Sequence, residues 1–215
     1  MNSPVIDMLP QLLPQLLAGM ATNFEIAVVA LLLGLVFGLM LIGLGLLGGV
    51  AGGASGAVVG LMRAAPTFVV MFFLLNVIPR NATLFGAGLE VSGALAVALS
   101  LVPYSAAYVV DNGQAALLQL RRGSPLAALL FLPSLARAFF VLVMSSGAGA
   151  AIGVTEGIAV ILRHAEHLPA LDDKLLLFAV GIAMFGIPLQ LGFALVRHLQ
   201  HRIGRSFTAE RADAR

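Results

Sequence analysis

The sequence predicts an all-α, polytopic membrane bundle of about five spans, and three observations carry that prediction. The chain of 215 residues is 60% hydrophobic and only 10% charged, whereas a soluble domain needs about 25% charged residues to cover its surface. Several apolar runs reach the roughly 20 residues that carry a helix across a ~30 Å hydrocarbon core. Glycine is abundant, at 24 residues, and small residues let membrane helices approach closely.

The elements follow in order. Met1 to Met20 carries Asp7, has no Lys or Arg ahead of its apolar stretch and is broken by Pro4, Pro10 and Pro14; it does not read as a cleaved leader, which needs a positive start. A first span runs from about Asn23 to Gly49, with Glu25 near its start, and dissolves into the glycine-rich stretch to Gly56. A second apolar run, Val58 to Ile78, is interrupted by Arg63 and Pro66, so its spanning part is expected to begin near Pro66, proline suiting a helix's first turn. Pro79-Arg80-Asn81 ends it. Span three runs from about Glu90 to Val110, span four from Leu126 to about Met144 and span five from Leu175 to Val196. Residues 1–205 are read as one membrane domain and residues 206–215 as a polar, frayed tail.

Orientation follows the bias of basic residues between alternate loops. With the N-terminus outside, the inner segments hold Arg63, Arg121, Arg122 and a tail with Arg197, Arg202, Arg205, Arg211 and Arg215, against Arg80, Arg163 and Lys174 outside. An odd number of spans then places the C-terminus inside. The same bias accounts for a basic tail without invoking nucleic acid, since net charge is only +2.

Several chemistries are disfavoured. With no cysteine, disulfides, thiol nucleophiles and thiolate metal sites are excluded. The histidines pair as His164 with His167 and His198 with His201, at membrane edges where polar residues are expected, so no metal is predicted. Gly43-Leu44-Gly45-Leu46-Leu47-Gly48 matches a dinucleotide fingerprint in letters but lies inside a span, where it reads as helix packing. No catalytic constellation suggests itself, and neither an enzyme nor a cofactor is expected.

Two groups of residues remain as candidates. Ionisable side chains within spans cost about 2.5 to 3.5 kcal/mol each on insertion scales and are functional candidates by default; these are Glu25 and Arg137. Glu25 can instead reach outer headgroups, and Arg137 can snorkel to the inner surface if its helix begins near Pro133. Asn76, Ser100, Tyr104, Ser105, Ser145 and Ser146 are polar groups in or beside apolar helices, bonding a neighbouring helix or lining a solute path. Pro103 beside Tyr104 frees a backbone carbonyl, a device transporters use near the midplane.

In register along the chain, five segments resemble the permease subunits of bacterial ABC importers for polar amino acids. They are Gly19-Met20-Ala21-Thr22 with Leu33-Gly34-Leu35-Val36-Phe37-Gly38-Leu39; Met62-Arg63-Ala64-Ala65-Pro66; Ala98-Leu99-Ser100 with Ser105-Ala106-Ala107-Tyr108; Leu132-Pro133-Ser134-Leu135-Ala136-Arg137; and Ile152-Gly153-Val154-Thr155-Glu156. The resemblance implies a bacterial inner-membrane subunit that pairs with a second permease subunit, engages cytoplasmic ATPase subunits and receives solute from an extracytoplasmic binding protein. The family's coupling loop aligns with Gly123, Leu126, Ala127 and Ala128, where Leu126 replaces the expected glutamate and the following docking helix is largely missing. A heterodimer with a better-preserved sister subunit is therefore expected. A non-transporting assembly or regulatory subunit, or an ion-coupled carrier using Glu25 or Arg137, are the alternatives.

Overall fold

The computed structural model describes residues 4–77, 92–124, 128–129 and 131–213, with backbone alone at Leu75 and beyond residue 202. The described residues form α1 (Pro4–Leu47), α2 (Gly49–Ala64), α3 (Thr67–Val77), α4 (Gly93–Arg121), α5 (Phe131–Ser145), a 3-10 segment (Ser146–Ile152), α6 (Gly157–Glu166) and α7 (Leu171–Asp213). Among them α1, α4, α5 with the 3-10 segment, and α7 are each long and apolar enough to span a membrane, and α2 with α3 makes a fifth candidate bent by 94°. The all-helical membrane bundle is thus as expected.

Contacts along the helices set their directions. Gly34 of α1 lies against Ser105 and Ala106 of α4, Gly38 against Val109, and Ile42 against Gly113. The residue numbers rise together, so α1 and α4 run parallel, and the segment between them has to return across the bundle. The glycines of the Leu33 to Leu39 segment are what allow this approach. Arg63 of α2 pairs with Asp111 of α4, and Ser55 Oγ donates to Leu41 O at 2.7 Å, which ties the bent pair to both parallel helices.

Three apolar clusters stack along the bundle. At one end Val5, Leu12, Leu16 and Met20 of α1 meet Val160, Ile161 and Ala165 of α6 and Leu177 of α7. The central cluster joins Ile26, Ala27, Ala30, Met71, Val97, Leu101, Leu142, Val143 and Leu189. At the far end Leu41, Ile42, Val59, Ala107 and Val110 close the stack.

Several expected boundaries move. The first helix begins at Pro4 rather than Asn23. Proline removes one backbone hydrogen bond and costs about 3 kcal/mol inside a helix, but Pro10 and Pro14 both lie on the exposed face, and the opposite row Val5, Leu12, Leu16, Met20 holds the turn in place by packing. Glu25, expected near the start of a span, is consequently in the interior of α1, and it is exposed. The motif Gly43-x-Gly45-x-x-Gly48 is mostly unpacked: an added Cβ at Gly43 or Gly48 meets nothing within 4 Å, and Gly48, at φ 69°, supplies the break between α1 and α2. The third span runs beyond Val110 to Arg121, and the segment after Gly204, expected to fray, continues α7 to Asp213. Helix α3 starts after Pro66 as expected. Pro79-Arg80-Asn81 and Glu90 lie outside the described residues.

Candidate functional site

Helices α5 and α6 follow one another along α7, separated by the 3-10 segment. Arg137 and Phe140 of α5 sit against Gln200 and Gly192 of α7, and further along Gly157 and Ile161 of α6 sit against Phe185 and Gly181. Climbing α5 and then α6 therefore descends α7 in number, so the two helices together run antiparallel to it. The break between them is level with Phe185, midway between the flanking charges Lys174 and Arg197. It falls in the middle of the apolar run of α7.

The break has a local cause. The stretch after Ser145 is rich in Gly and Ala and tightens into the 3-10 segment, which stops at Gly153 with φ 83°, a left-handed conformation that favours glycine. The Gly153 and Val154 N–H groups return to Ala150 O and Gly149 O, satisfying carbonyls that the helix end would leave open. Glu156 then caps α6, its Oε1 accepting from Ala159 N at 2.8 Å and its Oε2 from Ile158 N at 2.9 Å.

This carboxylate is fully buried, at 0% exposure. Asn23 of α1 reaches it because Gly19, one turn earlier, brings the backbone of α1 against that of Glu156 and Gly157; an added Cβ there lies 2.8 Å from both. Asn23 Nδ2 donates to Glu156 Oε2 and to Ser146 Oγ, each at 2.8 Å, while its Oδ1 accepts from Gly157 N at 3.0 Å. Ser146 Oγ donates to Val143 O at 2.7 Å. Every polar atom of the triad is bonded, which is the condition under which buried polar groups are tolerated. The network clamps α1, the 3-10 segment and α6 at one point, between the cluster that contains Leu12 and Leu16 and the central apolar cluster. Beside it, between α5, α6 and α7, lies a cavity of about 510 Å³ whose lining includes Asn23.

The candidates from the sequence are dispersed. Only Ser146 joins the cluster, with the half-buried Ser145 next to it. Asn76 Nδ2 bonds back to Phe72 O and Ser100 Oγ to Val97 O, both at 2.7 Å, each on its own helix. Ser105 is wedged against Gly34 between α1 and α4, and among the described residues its buried hydroxyl has no partner. Tyr104 is exposed on α4 and packs against Tyr108, and with Asp111 these form one exposed or half-buried line on that helix. Arg137 is exposed and donates to Gln200 Oε1 at 3.3 Å; its helix begins at Phe131, so the arginine lies near the end of the span, in line with snorkelling rather than deep burial. Glu25 is exposed on α1, two residues from Asn23 but outside the triad.

In the coupling segment, Gly123 at φ 74° stops α4, with Ser124 N returning to Gln119 O, and Ala128 N bonds Ser124 O at 3.3 Å. Leu126 and Ala127 lie outside the described residues. His164 and His167 direct Nδ1 to the carbonyls of Val160 and Arg163, and His198 Nε2 accepts from Arg202, so these rings bond along their own helices.

The sequence placed Glu156 in a resembling segment but not among the site candidates, and Asn23 only as the start of a span. An acid directly before the apolar positions Ile158, Val160 and Ile161 is a helix-start signal, and it could have placed a helix between the fourth and fifth spans.

No protein-family model matches the chain, and no curated protein does. A chain in the crystal structure of an amino acid ABC transporter with histidines shares its fold, with a TM-score of 0.72 at 15% identity over 94% of this chain and 100% of that one. At that identity the likeness is one of fold.

Proposed function

We propose that the chain is the membrane-spanning subunit of an ABC-type importer in a bacterial inner membrane, forming part of the path for a polar amino acid or similar small solute by alternating access. The observation that supports this most is the end-to-end likeness of fold to a chain of an amino acid ABC transporter, together with the resemblance of five segments in register.

The reading implies a mechanism. In this reading the break between α5 and α6 lies within the bilayer and leaves two arms that can tilt separately, and transporters build their binding sites at such breaks. The triad holds α6 and the end of α5 to α1, so motion is expected in the start of α5 and in α7, most of whose surface is exposed. The line Tyr104, Tyr108 and Asp111 gives α4 a polar face suited to a solute with hydrogen-bonding groups. A partner completes the path in this reading: a second permease subunit covers that face, cytoplasmic ATPase subunits bind the inner end, and an extracytoplasmic binding protein delivers solute. ATP hydrolysis belongs to the partner, and the heterodimer follows from Leu126 and the short connection to α5.

Glu25 favours a second reading, ion coupling, because an exposed carboxylate within a span is costly unless it meets water or a cation. A non-transporting assembly or regulatory subunit is the third. Purification of the tagged chain from native membranes in mild detergent separates them. The importer reading expects a nucleotide-binding ATPase and a second permease subunit in the eluate, with the ATPase lost when the sister subunit is deleted. Stoichiometric capture of the ATPase by this chain alone would refute the heterodimer, and a complex without any nucleotide-binding subunit would refute the importer.

A further inference from the structure

We propose that the groove between α5, α6 and α7 binds one acyl chain of a membrane phospholipid, with Lys174 at its end holding the lipid phosphate.

The walls decide the chemistry of the occupant. The cavity of about 510 Å³ is lined by residues such as Val143, Ile161, Phe185 and Leu189, and none of its lining residues is ionisable. Asn23 is the polar exception, and its amide is already spent on Ser146, Glu156 and Gly157. A zwitterion or a sugar entering here would lose its hydration and gain no partner, so the groove is not a site for the polar solute proposed above. It takes an apolar chain.

Position and length point to a lipid. Three lining residues are exposed at the protein surface, Met144 at 59%, Ile158 at 42% and Ile182 at 74%, so the groove opens sideways. It does so level with Phe185, midway along the apolar run of α7, where the surroundings are hydrocarbon. Along α7 the lining extends from Phe178 to Leu189, about 16 Å at 1.5 Å per residue. Most of that length lies on the Lys174 side of Phe185, within one half of a core about 30 Å thick, and the last turn passes beyond the middle.

The end of the groove supplies the charge. Lys174, Phe178, Gly181, Phe185 and Leu189 follow one another at steps of three or four and so lie along one face of α7. Lys174 is one turn beyond the apolar lining, where a lysine stem follows the hydrocarbon and its ammonium reaches the headgroup layer. Asp172 and Asp173 precede it off that line, which leaves Lys174 as the cation on the groove's own face.

The test is photolabelling of the full chain in vesicles of phosphatidylethanolamine and phosphatidylglycerol, the latter carrying a diazirine in its acyl chain. Label is expected to concentrate on Met144, Ile158 and Ile182 relative to Leu32 and Val36, which are equally accessible on α1. Gly186→Leu adds bulk to the groove lining at a position where an added Cβ meets nothing within 4 Å. It should bring groove labelling down to the α1 level with helical content and elution volume unchanged. Lys174→Gln should lower groove labelling about fivefold, the loss of one lysine contact to an anionic headgroup. Uniform labelling of both surfaces, or indifference of groove labelling to Gly186→Leu, would each overturn the assignment. The site depends on membrane placement and not on transport, so its failure leaves the importer reading untouched.

Discussion

Glu156→Ala is expected to lower the stability of the bundle by about 3 to 5 kcal/mol, because it deprives several buried donors of their acceptor at once. The cap of α6 alone is worth about 1 kcal/mol. The remainder comes from Asn23 Nδ2, which loses one of its two acceptors, and from Ile158 and Ala159 N–H groups left facing apolar packing. Glu156→Gln keeps the shape and one acceptor, but its amide hydrogens point at donors, so it should fall between alanine and the native residue. Thermal unfolding in detergent, followed by circular dichroism, reads the order directly. If Glu156→Ala melts within a degree of the native protein, the triad is not the clamp described here.

Gly34→Ala is expected to part α1 from α4. Alanine normally stabilises a helix relative to glycine by up to about 1 kcal/mol, and that gain sets the sign at open positions. At Gly34 the added Cβ lies 2.1 Å from Ser105 Oγ and 2.4 Å from Ser105 Cβ. A hydroxyl can rotate away, but a Cβ is fixed to its backbone, so the helices themselves must move. Overpacking of this kind costs about 1 to 3 kcal/mol and sometimes more, which outweighs the propensity gain. Ser105→Gly removes both colliding atoms, after which the nearest atom is Ala106 N, 3.0 Å away. The double variant should therefore recover most of the lost melting temperature. Equal instability of the single and double variants would show that the parallel contact lies elsewhere.

How far the fold could be read in advance depended on which interactions decide each part. Apolar length decides spans, and the start of α3 after Pro66 and the core of α7 were legible, whereas glycine spacing pointed to Gly43 to Gly48 as the packed stretch and the close contact is at Gly34 and Gly38. Tertiary packing decides the rest. Pro10 and Pro14 argue locally against a helix, and only the buried row against α6 and α7 overrules them. The same override moved Glu25 from a supposed span edge to the interior of α1. Glu156 was hidden because a small-residue stretch containing an acid reads as chain leaving the membrane. Its partner Asn23 lies 133 positions earlier, beyond the reach of any local pattern. Among the path candidates, Ser146 could be named but not its role, since a serine in an apolar run has the same appearance whether it bonds its own helix, as Ser100 does, or another.

The central claim is that this chain is a transport subunit driven by a partner's ATP hydrolysis. It is tested most directly by accumulation of a mixture of labelled amino acids in vesicles that contain the chain, its co-purifying subunits and the binding protein. We expect uptake that requires internal ATP and both permease subunits, and that survives Glu25→Gln. Uptake without ATP that follows a proton gradient and is abolished by Glu25→Gln would contradict the account and establish the ion-coupled reading in its place.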